Sequence, residues 1–450
     1  MTSATTTVPT APGRLPLFGH VARLARHPLA FLADVRARGE IVKIFLGTRP
    51  VFVVSSPALI RTILLAESNK FDKGTLMDKT RPYLGNGLPN SCGAFHLQQR
   101  RLLQPAFHRD RIRGHLETMR TRAEHRTANW RGGQQIPFCQ EMHDLTFDIV
   151  TRTMFSTSLG PTRSSEFQQA LPVAINGSAA RALAPASFWE KLPLPSNRRF
   201  DAAVAAVHRI VDEVIGSYHA EGVDHGDLLS TLLGPLGPDA DSRMPDQHVH
   251  DEVISIIMAG TETAATTLSW LFYELALQPE VEQRLATELQ AVLHGRPIEF
   301  DDIHALEYTN CILTETLRLH TPNWVLMRRA IEPVDVGGIR LERGSEVLFS
   351  LTTLHRDPEI YRDPMHFSPN RWLPEQADAL PRGAFIPFGL GNRKCIGDSF
   401  ALTVMTVVVA AIATQWQMSL APGCRVRETA GATVQPTGLV LRADNRDQSL

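Results

Sequence analysis

A glycine-rich loop with a single cysteine, residues 388–397, is the part of this chain best suited to chemistry. Its sequence, FGLGNRKCIG, comes just before an apolar run over residues 400–412. Glycines allow a backbone to fold closely around a sulfur atom, and amides at the start of a helix favour a thiolate over a thiol. The basic side chains of Arg393 and Lys394 act in the same direction. We therefore expect Cys395 to be a thiolate that serves as a metal ligand or as a nucleophile.

A second candidate stretch, AGTET, occupies residues 259–263 in the middle of a long apolar segment, residues 246–277. A glycine followed by three polar residues is costly inside a buried helix. The Thr263 hydroxyl can donate a hydrogen bond to the Ala259 carbonyl, which would open a groove for a small ligand. Glu262 places an ionisable group beside this hydroxyl, so the two could deliver protons. On its own the pattern is equally compatible with a helix kink and a solvated glutamate.

A third candidate is the sequence ETLR, in which Glu315 and Arg318 stand three residues apart. Residues at this spacing share a helix face, so the two side chains can form an ion pair. On its own such a pair is most often a surface salt bridge with no further role. The pattern gains meaning from its order in the chain, after AGTET and before the sequence FSPNRW at residues 367–372.

Helical periodicity dominates the elements that must position these residues, and strands are few. Residues 41–54 alternate apolar and polar side chains, which predicts a strand pair, and residues 325–355 predict short strands with glycine turns. Residues 74–94 and 356–387 are rich in Pro, Gly or Arg and predict irregular stretches. Helices are predicted over residues 57–66, 96–122, most of 140–220, 246–277 and 306–319.

The bulk composition limits the partners and the compartment. Lys plus Arg number 46 and Asp plus Glu number 47, so the net charge is -1 and no general attraction to nucleic acid is expected. The five cysteines are widely spaced without a CxxC pair, which argues against a disulfide scaffold or a structural zinc site. The Thr- and Pro-rich start resembles neither a signal peptide nor a membrane anchor, so we expect a cytoplasmic protein. We also expect a flexible lead over residues 1–13 and a single catalytic unit over residues 14–450.

Taken together and in this order, the motifs resemble those of the cytochrome P-450 family. The loop FGLGNRKCIG matches the family's heme-binding pattern, Phe-Gly-x-Gly-x-Arg-x-Cys-x-Gly, at every specified position. AGTET matches its oxygen-binding helix motif, ETLR its Glu-x-x-Arg, and FSPNRW the irregular stretch before the cysteine loop. The resemblance covers residues 14–445. It implies a mainly α (α+β) fold, rich in helices with small β-sheets, in which heme lies between a long distal helix and the proximal cysteine loop.

The resemblance implies heme b (iron protoporphyrin IX) as the cofactor, with Cys395 as the thiolate ligand of its iron. The basic residues of the site would bind the heme propionates, with Arg329 as the alternative to its neighbour Arg328. The other contacts with the heme are expected from His96, Arg100, Ala259, Arg328, Phe388, Arg393 and Gly397.

Two further roles follow from the resemblance. Glu262 and Thr263 match the family's acid–alcohol pair, which relays protons to dioxygen through ordered water. Because the pair is intact, it favours monooxygenation driven by a reductant and argues against a heme-binding sensor without turnover. Glu315 and Arg318 would pair with Arg371 in a buried network that supports the cysteine loop. No catalytic-triad pattern accompanies the cysteine, which argues against a cysteine-nucleophile hydrolase.

Residues outside the motifs suggest a substrate. The stretches expected to line the pocket are residues 74–90, about 170–197, 256–263 and 323–327. The last of them, NWVLM, is largely apolar, and Arg181 is the one charge between residues 171 and 188, so we expect a small hydrophobic substrate. Segments such as FDKGTLMDKTRPYLGNG and KLPLPSNRRFD resemble bacterial family members that oxidise cyclic terpenes in secondary metabolism, including antibiotic biosynthesis. This narrower resemblance implies a cyclic sesquiterpene similar to pentalenene. A fatty acid or a macrolide stays an alternative if Arg181 points inward as a polar anchor.

The electron donor is expected to be a separate protein, since no flavin or nicotinamide domain fits after residue 420. We expect reduced ferredoxin, supplied by its NAD(P)H-dependent reductase. A basic stretch over residues 99–113, together with Lys394, would attract an acidic ferredoxin to the proximal face. The same arginines are equally compatible with a solvated helix face.

Overall fold

The computed structural model describes residues 8–155, 160–183, 192–234, 244–377 and 380–446. Within these ranges helices predominate over strands, as the helical periodicity of the sequence predicts. The helices are α1 (Val21–Arg26), α2 (Pro28–Arg36), α3 (Pro57–Arg61), α4 (Thr75–Leu84), α5 (Gly93–Leu103), α6 (Arg109–Thr127), α7 (Phe138–Met154), α8 (Gly160–Leu183), α9 (Pro195–Glu221), α10 (Leu228–Leu233), α11 (Asp246–Leu277), α12 (Pro279–Leu293), α13 (Asp302–Ala305), α14 (Glu307–Leu319), α15 (Leu351–His355), α16 (Pro374–Ala377) and α17 (Asp398–Ala413).

The strands form small sheets at the edges of the helical body. They are β1 (Ile41–Leu46), β2 (Arg49–Val54), β3 (Phe71–Asp72), β4 (Gln134–Pro137), β5 (Val325–Ala330), β6 (Val334–Val336), β7 (Ile339–Leu341), β8 (Glu346–Ser350), β9 (Trp416–Leu420), β10 (Arg427–Ala430), β11 (Val434–Thr437) and β12 (Val440–Asn445). One sheet has the order β1-β2-β8-β5-β3 and another the order β4-β12-β9, and two hairpins pair β6 with β7 and β10 with β11. The pair β2–β8 is parallel, with Val51 opposite Glu346, and β1 and β2 form the predicted antiparallel pair.

The long helix α11 runs through the core, which explains its apolar composition. Pro245 and Pro279 flank the helix and set its two ends, because a proline breaks the backbone hydrogen bonding of a helix interior. Most of its residues are buried, and it packs against α7, α9, α14 and α17. The prediction of a helix over residues 246–277 is therefore confirmed. Within the described residues, no helix combines the length and the apolar character that a membrane span requires.

Two predictions of local structure are wrong. The first half of residues 74–94 forms α4 rather than a loop, because Leu, Met, Lys and Arg favour a helix and α4 packs against α8 despite the internal Pro82. Gly85, with a φ of 72°, then ends the helix. The single helix predicted over residues 96–122 is divided into α5 and α6, because a short 3-10 segment containing Pro105 separates them.

The N-terminal lead is partly ordered along β1. The Ala11 N–H donates a hydrogen bond to the Lys43 carbonyl at 2.9 Å, and the Lys43 N–H donates to the Pro9 carbonyl at 2.8 Å. Ala11 is also buried. This part of the expected lead therefore extends the edge of the sheet, whereas the division at residue 14 into a lead and a catalytic unit stays a prediction.

Candidate functional site

The cysteine loop curls back on itself just before α17. The Cys395 N–H donates a hydrogen bond to the Phe388 carbonyl at 2.8 Å, and the Lys394 N–H donates to the Gly391 carbonyl at 3.0 Å. Gly391 has a φ of 70°, and a Cβ atom there would collide with the Leu64 carbonyl oxygen. The glycine is therefore required by the close approach of the protein's own backbone, and the loop is pre-shaped around its sulfur.

The Cys395 thiol is accessible at its own surface but has protein on most sides. Its side chain is exposed, yet the surrounding protein is dense enough for burial to raise the pKa of the thiol, against the effect of the Gly397 N–H. The Gly397 N–H and the charges of Arg100 and Lys394 lower the pKa of the thiol, as expected, but desolvation outweighs them and the net pKa is raised. A metal cation on the sulfur would reverse this balance, since a coordinating thiol is deprotonated.

A buried ion-pair network fastens the chain that leads to the cysteine loop. Arg318 and Glu315 on α14 are both fully buried, with Nη2 of the arginine 2.7 Å from Oε1 of the glutamate. The Glu315 carboxylate also accepts hydrogen bonds from the Ser368 N–H at 2.9 Å and the Trp372 indole at 2.7 Å. Arg371 lies 3.5 Å from the same carboxylate. The predicted network is therefore confirmed, and it is no surface salt bridge.

The two adjacent arginines of β5 have different surroundings. Arg329 forms ion pairs with Asp72 and Asp78. Arg328 is buried, donates to a backbone carbonyl at 2.7 Å, and has no carboxylate within ion-pair distance among the described residues. Burial, followed by the charge of Arg393, lowers the pKa of Arg328 to about 10. Arg328 is thus the arginine left in need of an anion, which favours it over its neighbour as a propionate ligand.

Lys73 is half-buried and lies beside the same cations, although nothing in its sequence context, FDKG, predicts this position. Burial is the main reason that its pKa falls well below the usual value, and the charges of Arg328, Arg393 and Arg100 lower it further. Neither a hydrogen bond nor an ion pair is formed by Lys73 within the described ranges. Buried cations of this kind are costly unless an anion is supplied, and the two propionates of heme would supply it. Together with the accessible thiol, these residues fit a heme.

His96, Arg100 and Arg393 join the cysteine loop to α5. Arg100 donates a hydrogen bond to the Lys394 carbonyl at 2.7 Å, and Arg393 donates to the Ser91 carbonyl at 2.6 Å. Nε2 of His96 lies 3.2 Å from another carbonyl of the loop. Burial and the charge of Arg393 lower the pKa of His96 to about 4, so the ring is neutral at physiological pH. The structure brings these three predicted residues together, and their contact with heme stays a prediction.

The two members of the predicted acid–alcohol pair have different partners. The Thr263 hydroxyl donates to the Ala259 carbonyl at 2.8 Å, and both residues are accessible within a helix that is otherwise largely buried. The Glu262 carboxylate is buried and accepts hydrogen bonds from Thr433 and Gln435 on or beside β11. The accessible surface of α11 therefore lies at Ala259 and Thr263, whereas Glu262 is turned toward β11. The shared role of the pair stays a prediction.

Two neighbouring carboxylates of α11 hold the loop that follows α4. Asp251 accepts a hydrogen bond from the Asn86 N–H at 2.7 Å, and Glu252 accepts one from the Leu88 N–H at 3.0 Å. The approach is so close that a Cβ atom on Gly85 would collide with the Asp251 carboxylate. Because this loop leads directly into α5, the clamp links α11 to the residues around His96.

The clamp should make stability depend on pH. Burial raises the pKa of Glu252 to about 7. Since this value lies above that of the unfolded chain, the stabilisation is complete below the unfolded pKa and is lost as pH rises through about 7. Glu252→Gln keeps the acceptor for the Leu88 N–H but cannot ionise. Between pH 5.5 and pH 8 its free energy of unfolding should gain about 2 kcal/mol relative to wild type, in urea titrations at matched heme content.

Glu280→Gln is the matched control, because this carboxylate is exposed at the start of α12. It should leave the pH dependence of unfolding as in wild type. Parallel pH profiles for Glu252→Gln and the wild type would show that Glu252 does not change its charge in this range.

The tip of the hairpin β10–β11 is tied to three other elements. The indole of Trp270 on α11 donates to the Val434 carbonyl at 2.7 Å, and that of Trp324 donates to the Gly431 carbonyl at 2.9 Å. Asn176 on α8 accepts an N–H bond from the tip at 3.4 Å. These bonds join residues far apart in the chain, so no local sequence pattern could have predicted them.

Comparisons with known proteins identify the family of the chain. The model of the family described as Cytochrome P450 matches residues 9–443. Cyclooctat-9-en-7-ol 5-monooxygenase of Streptomyces melanosporofaciens is 40% identical over 93% of this chain and 91% of its own length. Cyclooctatin synthase of the same organism is 41% identical over 93% and 91%, and pentalenene oxygenase of Streptomyces avermitilis is 37% identical over 97% of each chain. With the cysteine loop, the buried cations and a match over nearly all of its length, this chain belongs to the cytochrome P450 family.

Proposed function

We propose that this chain is a heme-thiolate monooxygenase that inserts one oxygen atom of O2 into a cyclic terpene. The observation that carries the proposal is the accessible Cys395 thiol in a closed loop whose Arg393 lies near two further cations. These cations, Lys73 and Arg328, form no ion pair among the described residues. A metal-bound porphyrin would satisfy the sulfur and the cations at once. In this proposal the enzyme acts in the cytoplasm, as one catalytic unit over residues 14–450.

Each group of residues has a separate task. When bound, heme b supplies the iron that activates dioxygen. Cys395 holds that iron as a thiolate, and Lys73 joins the predicted basic residues in neutralising the propionates. Thr263 and Glu262 hold and move protons on the distal side. The residues that complete the proposed heme contacts are His96, Arg100, Ala259, Arg328, Phe388, Arg393 and Gly397.

An apolar substrate is supported by the position of Arg181. Its guanidinium lies over the Phe200 ring, 3.5 Å from the centroid, and donates a hydrogen bond to Asn197 at 2.9 Å. Because the protein itself engages this cation, it is poorly placed to bind the carboxylate of a fatty acid. Trp324 and Met327, in another stretch expected to line the pocket, are buried and apolar. Residues 184–191, also expected there, lie outside the described ranges.

The names of the relatives support a cyclic terpene more directly. One acts on cyclooctat-9-en-7-ol and another on pentalenene. At about 40% identity the scaffold is shared, but a single methylene changes pocket preference by only about 1–3 kcal/mol. We therefore propose the class of cyclic terpenes, with a sesquiterpene hydrocarbon such as pentalenene as its first candidate and a terpene alcohol as the second.

A reduced ferredoxin, with its NAD(P)H-dependent reductase, is the proposed electron donor. Arg101, Arg109 and Arg111 on or beside α5 and α6 have exposed side chains, and Lys394 is exposed in the cysteine loop itself. Such a surface attracts an acidic partner by complementary charge, and the attraction should weaken with salt.

Titration of the heme-loaded protein with a substrate panel tests the proposal. The panel contains pentalenene, cyclooctat-9-en-7-ol, a fatty acid and a macrolide, and the measurement is the absorption change on displacing water from the heme. We expect a saturable change with a cyclic terpene, followed by an oxygenated product once reduced ferredoxin and O2 are added. A response to fatty acids or macrolides alone would exclude the terpene class. Binding without any product would instead favour a heme-binding sensor.

A further inference from the structure

The Glu262 carboxylate sits at a junction of three elements, and its two oxygens have different neighbours. Oε1 accepts hydrogen bonds from the Thr433 hydroxyl at 2.8 Å and from the Gln435 amide. Oε2 lies 3.3 Å from Nε2 of His143 on α7. The first oxygen is thus occupied by two neutral donors, whereas the second faces a group that can carry a proton.

His143 also has better access to water than the carboxylate that it contacts. Its side chain is 19% exposed, against 6% for Glu262. Thr433 is buried, and its hydroxyl does not become charged, so it cannot bring a proton from solvent. Cys139, the other titratable group near Glu262 on α7, is a poor substitute, because burial raises the pKa of its thiol to about 11. Within the described residues, His143 is therefore the titratable group that connects Glu262 with the surface.

The charges around His143 are arranged so that Glu262 is its acidic partner. Glu141 and Asp144 lie close to it on α7, but both are bound by Arg126 of α6, at 2.7 Å and 2.9 Å. The facing residues of β11 are uncharged. Among the described residues, Glu262 is consequently the one carboxylate within ion-pair distance of the imidazole.

We propose that His143 returns a proton to Glu262 after each turnover, an inference that rests on the function proposed above. The imidazolium transfers its Nε2 proton to Oε2 of Glu262, which leaves a neutral imidazole protonated on Nδ1. Rotation of the ring then turns Nε2 toward the surface, where it takes a proton from water before it returns to Glu262. One N–H bond is exchanged for one O–H bond, and no oxidant or reductant is needed. Glu262 then carries the proton toward the Thr263 side of α11 by rotation of its side chain.

His143→Gln tests the inference, because the glutamine amide can still donate a hydrogen bond to Glu262 but cannot transfer a proton. We expect the fraction of reductant electrons recovered in product to fall by about tenfold, with a larger solvent deuterium isotope effect. The dissociation constant of substrate, read from the absorption spectrum without turnover, should stay within about twofold of wild type. The thermal midpoint should also be retained, which shows that the fold is intact.

His125→Gln, an exposed histidine on α6, is the matched control and should behave as wild type in every measurement. Glu262→Gln supplies a second test: if the two residues share one path, adding His143→Gln to it should cause little further loss. An undiminished effect of His143→Gln in that background would overturn the inference.

Thr263→Ala separates this inference from the function on which it rests. If Thr263→Ala consumes reductant without forming product while His143→Gln couples as wild type does, the role of His143 is excluded and the proposed function stands. Full coupling in both variants would remove the proposed proton relay as well, and the inference with it.

Discussion

Replacing Cys395 by serine should abolish the spectroscopic and catalytic character of this protein. A serine hydroxyl is a harder and far less acidic ligand than a thiol, so it cannot donate electron density to iron as a thiolate does. We expect the reduced carbon monoxide complex to lose its thiolate-type Soret shift. Product formation should fall by roughly a thousandfold or more, the scale seen when a group essential to the chemistry is removed. The measurements are the difference spectrum and the turnover rate at matched heme content.

Cys424→Ser is the matched control for this substitution. Its thiol is half-buried and donates to the Gly438 carbonyl at 3.3 Å, a bond that a serine hydroxyl can replace. This variant should keep the spectrum and the activity of wild type. A Cys395→Ser protein that retains the thiolate-type spectrum would show that another residue binds the iron, and the proposed site would have to be abandoned.

Removing Arg318 should cause a large loss of stability. Its guanidinium pairs with Glu315 and also donates to the carbonyls of His355 and Pro364, both at 2.8 Å. Arg318→Met would leave a carboxylate and these carbonyls buried without their donor. Breaking one side of a buried pair costs about 3–5 kcal/mol, so we expect the free energy of unfolding to fall by that amount. Urea titration of purified protein measures it, and heme content should fall with it.

Arg340→Met provides the comparison at an exposed pair. Arg340 lies 2.8 Å from Asp335 on the hairpin β6–β7, and both side chains are more than half exposed. Its loss should cost less than about 1 kcal/mol. If Arg318→Met were no worse than this, the buried network would be dispensable to the fold. Glu315→Gln serves as a second variant should Arg318→Met accumulate too poorly for measurement.

The features predicted best from the sequence are those formed by residues that are close together in the chain. The loop FGLGNRKCIG needs only its own glycines and the following helix to surround the sulfur, and AGTET needs only one helix to form the Thr263–Ala259 bond. Helix α11 was equally predictable from the sequence, because prolines mark both of its ends. Where local signals conflicted, as in α4, the prolines and glycines concealed a helix that other residues favour.

What the sequence could not predict depends on contacts between distant parts of the chain. Glu252 meets Leu88 across 164 positions, and Glu262 meets Gln435 across 173. Neither residue carries a local mark of its partner, so the direction of the Glu262 carboxylate and the clamp on the loop became visible only in the folded chain. The effect of burial on the pKa of Cys395 could not be predicted for the same reason, since burial is a property of the whole fold.

The unpaired cations around Lys73 also affect the stability of the newly made chain before heme binds. Like charges held together in a folded chain repel one another, so the segments that contribute Lys73, Arg328 and Arg393 gain most from a bound porphyrin. A ligand that binds only the folded form stabilises it by mass action. In a cell short of iron, newly made chains would therefore stay open to proteases at this point. The abundance of the enzyme, and with it the yield of its metabolite, would follow the supply of heme as well as the level of transcription.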